Sequence, residues 1–306
     1  MTKVLVATDK PFAAEAVSAI KSICVDAGFE FALLEKYTEV AQLLDAIKDA
    51  DAIIVRSDLI TPEVIAAAKQ LKIVVRAGAG YDNIDLAAAT ASNVVVMNTP
   101  GQNANAVAEL ALGMMVYFAR GQFNGKPGTE LKGKTIGIHA IGNVGKRVAT
   151  LAKAFGMDVY AYDPFIEKAD RAKFDAAFVE SAAELYAKCQ YISLHVPATA
   201  QTKNSIGYDL LNSMPKGAVL VNTARKEVIN EAELLRVFAE RPDFGYISDV
   251  APDCAAELAE KFAGRFYFTP KKMGAQTEEA NVNAGIAAAK QIEGFIKNGD
   301  TTFKVN

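Results

Sequence analysis

The 306-residue chain has no tryptophan, only two histidines and only three cysteines. Cys24, Cys189 and Cys254 lie far apart without a CxxC pair, and two histidines are too few to complete a zinc site beside them. That pattern argues against a disulfide framework and against a metal centre, and it fits the reduced thiols of a cytoplasmic protein. An excess of positive charge is missing as well. With 33 Lys and Arg against 36 Asp and Glu the formal net charge is −3, so no basic field exists to hold nucleic acid or an anionic membrane surface. Long hydrophobic runs are also absent: the longest nearly apolar stretch, Ala106 to Ala119, contains Glu109 and falls short of the roughly 20 residues that span a bilayer. The opening residues MTKVLVATDK contain no apolar core and no cleavage site of a signal peptide, and read as a first strand. No repeat of fixed period and no low-complexity tract is found.

What is present is an ordinary globular composition, 51% hydrophobic and 23% charged, with a length that suggests about two domains. Short β-branched runs alternate with longer Ala-rich segments of helical period, the rhythm of βα units on a parallel sheet. Strands are expected near Val4–Ala7, Phe29–Leu33, Ala52–Val55, Ile73–Arg76 and Val94–Met97, with an amphipathic helix over Phe12–Ala27. A long helix from about Asn103 to Arg120 leads into FNGKPGTELKGK, whose Gly, Pro and Lys mark a linker or surface loop. A second series of about six strands follows, near Thr135–His139, Asp158–Ala161, Tyr191–Leu194, Ala218–Val221, Tyr246–Ser248 and Phe266–Phe268. The tail from Thr277 to Lys297 reads as a helix. The fold class is α/β, with two doubly wound, parallel-sheet, Rossmann-like domains.

Directly after the strand KTIGIHA stands Ala140-Ile141-Gly142-Asn143-Val144-Gly145, followed by a helix with an apolar stripe at Val148, Leu151, Ala152 and Phe155. A glycine turn between strand and helix lets the backbone approach a pyrophosphate, and the helix N-terminus offers it free N–H groups. Gly142 and Gly145 fill the second and third glycine places of GxGxxG, and Ala140 fills the first. Asp163 lies 21 residues beyond Gly142, at the end of the next strand, where a carboxylate accepts from ribose hydroxyls and repels a 2′-phosphate. NAD is expected rather than NADP. The alternative is a βα turn without a ligand, in which glycine serves close packing alone.

The segments VVRAGAGYDNIDLAAAT (74–90), MNTPGQNANAVAELALGMM (97–115), LHVPATAQT (194–202) and MPKGAVLVNTAR (214–225) together resemble the D-isomer-specific 2-hydroxyacid dehydrogenases, in collinear order from about Val55 to Ala280. Within that family the resemblance is strongest to the phosphoglycerate-oxidising group. It implies a discontinuous substrate domain, 1–98 with 275–306, an inserted NAD-binding Rossmann domain, 99–274, a cleft between the two, and a homodimer. The substrate implied is a small phosphorylated 2-hydroxy acid. Regulatory C-terminal domains for serine occur in the group, and this chain is too short to be expected to carry one.

Oxidising a 2-hydroxy acid requires a cation for the carboxylate, a base for the hydroxyl proton and a hydride acceptor. By resemblance Arg225 in NTAR grips the carboxylate. Most of the family has TPHxGG, with a histidine oriented by a glutamate of DVFxxEP, whereas this chain reads Thr269-Pro270-Lys271-Lys272-Met273-Gly274 and Asp249-Val250-Ala251-Pro252-Asp253-Cys254. Lys271 or Lys272 therefore takes the place of the histidine, as in a short subgroup of phosphoglycerate enzymes, or both are solvated surface charges. A lysine titrates near 10.4, so work near neutral pH calls for burial or neighbouring cations to lower it. Asp253 is a candidate substitute for the glutamate. The resemblance also carries cofactor contacts to Ile141, Gly142, Asn143, Val144, Gly145, Asp163, His195, Val196, Pro197, Thr202, Thr223, Ala224 and Asp249. Substrate contacts fall on Ala77, Gly78 and Ala79 for the carboxylate and on Arg56 and Ser57 for the phosphate, with Asn98 nearby. Arg56 has the alternative of a structural ion pair with Asp58 or Asp82. His195 is read as touching the cofactor or simply packing, without a proton-transfer role, and His139 as structural. Lys226, where glycine is common in the family, either aids phosphate binding or is a surface charge. Two other readings stay open: a glyoxylate or hydroxypyruvate reductase, and a non-catalytic dinucleotide-dependent binding protein.

Overall fold

Runs of Val, Ile and Leu that bury every residue cannot alternate between core and water, and they become central strands of parallel sheets covered on both faces. The structure is a computed structural model that describes residues 1–306. Two compact units are present, Met1–Asn103 with Gln276–Asn306, and Ala104–Ala275.

The first unit runs β1 (Lys3–Thr8), α1 (Ala14–Asp26), β2 (Glu30–Glu35), α2 (Val40–Ala46), β3 (Ala52–Val55), α3 (Pro62–Ala67), β4 (Ile73–Arg76), α4 (Leu86–Ala91) and β5 (Val95–Asn98). Its sheet has the order β2-β1-β3-β4-β5, with every pairing parallel. One face is packed by Ile20 and Cys24 of α1 against Val4, Val6 and Ile54, together with Ala284, Ala288 and Ile292 from the far end of the chain. The other face holds Leu43, Ile47, Val64, Ile65 and Ala89 against Leu5, Ile53 and Val74. At the chain's end Val305 N–H donates to Val96 O, and Asn306 Oδ1 accepts from Val96 N–H at 2.8 Å, so the last residues lie along β5.

The second unit runs α5 (Ala104–Ala119), β6 (Thr135–His139), α6 (Asn143–Ala154), β7 (Asp158–Tyr162), β8 (Ala177–Phe178), α7 (Ala182–Lys188), β9 (Tyr191–Leu194), α8 (Tyr208–Ser213), β10 (Val219–Asn222), α9 (Glu231–Glu240), β11 (Gly245–Ser248), α10 (Ala255–Lys261) and β12 (Phe266–Phe268). The seven strands order as β12-β11-β10-β9-β6-β7-β8. Six were expected. The extra one, β8, is two residues long and too short to show a hydrophobic period. The strand order reverses between β6 and β9, and ligands bind parallel sheets beyond the carboxyl ends at such a point. In the first unit the reversal lies between β1 and β3. α11 (Glu278–Asn298) then returns the chain to the first unit, its first turn capped by Thr277, whose hydroxyl accepts from Ala280 N–H. No helix is long and apolar enough to cross a membrane.

Candidate active site

The turn after β6 is built by a residue in an unusual conformation. Ala140 has φ +71°, the left-handed region that glycine occupies freely, and the turn brings its carbonyl so near Gly145 that a side chain there would begin 2.4 Å from it. Gly142 caps α6, and no heavy atom lies within 4 Å of where its side chain would start. Asn143 and Val144 open the helix, while Ile141 is buried beneath it. Asp163, just past β7, braces the turn: one carboxylate oxygen accepts from Ile141 N–H at 2.9 Å and the other from Phe165 N–H at 3.0 Å. Each oxygen retains acceptor capacity for a ribose hydroxyl. Thr223, beyond β10, has a buried hydroxyl with no hydrogen-bond partner in the protein, so it is free to bond a ligand or a water. The open cradle at Gly142, the placed carboxylate and the orphan hydroxyl fit a dinucleotide.

Across the reversal from β6, His195 follows β9 and its Nε2 pairs with Ser193 Oγ at 3.0 Å. Burial, reinforced by neighbouring His139, pushes its pKa down to about 3, and burial likewise pushes His139 down to about 4. Both rings are therefore neutral at pH 7. Val196 is buried, and Pro197 leads into a turn closed by Thr202, whose hydroxyl donates to Pro197 O at 2.5 Å and accepts from Thr199 N–H at 2.7 Å.

Arg225 stands on the loop after β10, and that loop is held by Asn222. The Asn222 amide donates to Arg225 O at 3.0 Å and accepts from Ala224 N–H at 2.9 Å, while Ser248 Oγ of β11 donates to Asn222 O. The Arg225 guanidinium folds back to donate to Ala224 O. The loop carrying Lys271 and Lys272 is organised by Asp249, which is 1% exposed. One Asp249 oxygen accepts from Thr269 Oγ1 and Met273 N–H, and the other from Gly274 N–H, the two amides at 2.7 Å. Asp249, expected to touch the cofactor, thus also holds the lysine loop with its carboxylate. Lys271 and Lys272 are both exposed on this loop, whose Met273 and Gly274 amides turn inward to Asp249. Asp253, the candidate substitute for the missing glutamate, pairs its carboxylate with Lys226 at 2.5 Å.

In the first unit Arg56 follows β3, beside the strand-order reversal. Its guanidinium donates to Lys10 O (3.0 Å), Pro11 O (2.9 Å) and Asn281 Oδ1 (2.6 Å), and lies 5.2 Å from the Phe12 ring. Two carbonyl oxygens and a side-chain amide take these donors, where the alternative reading offered the Asp58 or Asp82 carboxylate. Buried Asp58 instead accepts from the N–H groups of Asp9 and Arg56 and from Tyr37. Ser57 is exposed. Of the loop amides expected to meet a carboxylate, Ala77 N–H donates to Val55 O and Gly78 N–H to Arg76 O, which leaves the exposed Ala79 as the loop's outward end. Asn98 is a brace, donating to Ala79 O at 2.6 Å. Gly78 has φ +151°, and a side chain on it would begin 1.3 Å from Nη1 of Arg76, so the Arg76 guanidinium occupies the space that only a glycine leaves open. That second cation went unassigned in the sequence reading, although its place at a strand end beside a glycine loop was a usable signal.

Residues 113–265 match the model of the D-isomer specific 2-hydroxyacid dehydrogenase NAD binding domain. A hydroxypyruvate reductase of Thermotoga maritima is 36% identical over 289 residues, covering 86% of this chain and 90% of that protein. The chain belongs to the D-isomer-specific 2-hydroxyacid dehydrogenases. A D-3-phosphoglycerate dehydrogenase of Methanocaldococcus jannaschii is 38% identical over 84% of this chain and 52% of its own length, so the chain spans about half of that relative. Among solved structures, NAD+-bound 3-phosphoglycerate dehydrogenase of Entamoeba histolytica is 50% identical, with a TM-score of 0.88 over 100% of this chain and 98% of that one. The dehydrogenase family's NAD binding domain therefore coincides with the unit that carries the cradle at Gly142, Asp163 and the orphan Thr223 hydroxyl.

Proposed function

We propose that this dehydrogenase oxidises D-3-phosphoglycerate to 3-phosphohydroxypyruvate with NAD, the step that opens the phosphorylated route to serine, as a cytoplasmic homodimer. The observation that carries the reading is Arg225, set by Asn222 on a loop at the same carboxyl edge of the same sheet as the nucleotide turn. A planar guanidinium there holds a substrate carboxylate with two donors. When bound, NAD supplies the hydride acceptor. Lys271 or Lys272 takes the hydroxyl proton, on the loop that Asp249 holds in place. Arg56 and Arg76 supply positive charge to the phosphate, and Ala79 an amide at the outward end of its loop. The names of the relatives support the phosphoglycerate assignment, and the Thermotoga relative's name keeps a hydroxypyruvate reductase as the alternative. The exposure of both lysines favours a second reading, a dinucleotide-binding protein without turnover.

The test is NADH oxidation with 3-phosphohydroxypyruvate, hydroxypyruvate and glyoxylate at equal concentration. The phosphorylated acid is expected to be strongly preferred, and Arg56→Ala to cut that preference about tenfold or more, the value of a charge-assisted hydrogen bond. The readout is the ratio between substrates, because losing Arg56 also frees the Lys10 and Pro11 carbonyls. Activity confined to the unphosphorylated acids would make the protein a reductase, and tight NADH binding without turnover would establish the second reading.

A further inference from the structure

The loops that follow β10, β11 and β12 are tied together by charged side chains. Innermost, Asp249 holds the lysine loop through Thr269, Met273 and Gly274. Four residues on, Asp253 Oδ1 meets Lys226 Nζ at 2.5 Å, and Glu231, the first residue of α9, accepts from Asp253 N–H at 3.0 Å and Cys254 N–H at 2.7 Å. Lys226 follows Arg225 directly. The arginine loop is thus held on its inner side by the Asn222 amide and on its outer side by Lys226.

We propose that Lys226 and Asp253 are a positioning pair for the reaction, closing the loop after β11 against the arginine loop and so setting where Arg225 presents its guanidinium to the substrate carboxylate. The pair acts through Arg225 and touches no substrate. The inference rests on the reading of Arg225 as the carboxylate grip. The chemistry suits the task. The Lys226 side chain is 33% exposed and that of Asp253 78% exposed, so the pair contributes little to global stability. Its two ends, however, sit on separate loops 27 residues apart, where a small displacement of an oriented group is costly to catalysis. Bonding to Asp253 also raises the Lys226 pKa, so the lysine stays charged and the pair stays formed through the neutral range.

The experiment compares Lys226→Met, Asp253→Asn, the double variant and Lys226→Arg in the intact protein. Each of the first two is expected to raise KM for the 2-oxo acid about two- to fivefold, the range available to a partly exposed pair, with the NADH Kd and the melting temperature unchanged. The double variant should be no worse than either single one, and Lys226→Arg should restore the wild-type KM. Hydrogen exchange across residues 225–229 and 250–254 supplies a readout that needs no turnover, with faster exchange expected in both segments in either single variant. Faster exchange in a protein that turns over no 2-oxo acid would sink the dehydrogenase reading and keep the clamp. Additive losses, or a KM effect in Lys226→Met alone, would mean that Lys226 meets substrate directly and would overturn the pair, as would unaltered exchange in both variants.

Discussion

At Ala140, in the nucleotide turn, residue chemistry and local geometry disagree. An L-residue in the left-handed region costs about 1–2 kcal/mol, and Ala140 is held there at φ +71° by the turn that feeds α6. Ala140→Gly should therefore stabilise the protein by about 1 kcal/mol, since the relief exceeds the extra unfolded-state entropy of glycine. A chemical-denaturation midpoint that fell on this substitution would contradict the account. The glycine pattern and Asp163 were legible in the sequence because their spacing is local to one βα unit. The burdens on Arg56 were not: its partner Asn281 lies 225 residues away, on α11. Likewise, the exposure of Lys271 and Lys272 follows from how their loop wraps Asp249, which the motif TPKKMG does not reveal.

At the scale of elements, strands buried on both faces announced themselves. Ala52–Val55, Ile73–Arg76, Thr135–His139, Tyr191–Leu194 and Phe266–Phe268 fall where their β-branched and aromatic runs predict, and other strand ends shift by a residue or two, as frayed ends do. α11 shows how an element's worth depends on what it covers. Its Ile292, 1% exposed, shares a core with Ile20, Val4 and Ile54, although the helix arrives from the other end of the chain. Ile292→Ala should cost about 2–5 kcal/mol, the transfer term plus the cavity left between helix and sheet. Thermal unfolding would show it, and a loss below about 1 kcal/mol would mean that α11 is not part of that core.

For the whole molecule, the two histidines make stability depend on pH in a definite direction. Unfolded, each takes up a proton near 6.5. Folded, burial delays His139 to about 4 and His195 to about 3. Between those values the unfolded chain binds more protons, so stability is full above about pH 6.5 and falls with acid, by about 1.4 kcal/mol per pH unit for each histidine. Urea midpoints at pH 7.5, 6 and 5 should decline in that order, and His139→Asn should flatten the slope. A midpoint constant with pH would refute it. The sequence by itself determined the α/β class, the family and the nucleotide turn, because these depend on periodicity and on spacings within single βα units. Only the tertiary structure decided which donors of Arg56 are engaged, that Asp249 holds the lysine loop and that Lys226 claims Asp253. Those are hydrogen bonds and charges between loops far apart in the chain, and their geometry exists only after the sheets have brought the strand ends together.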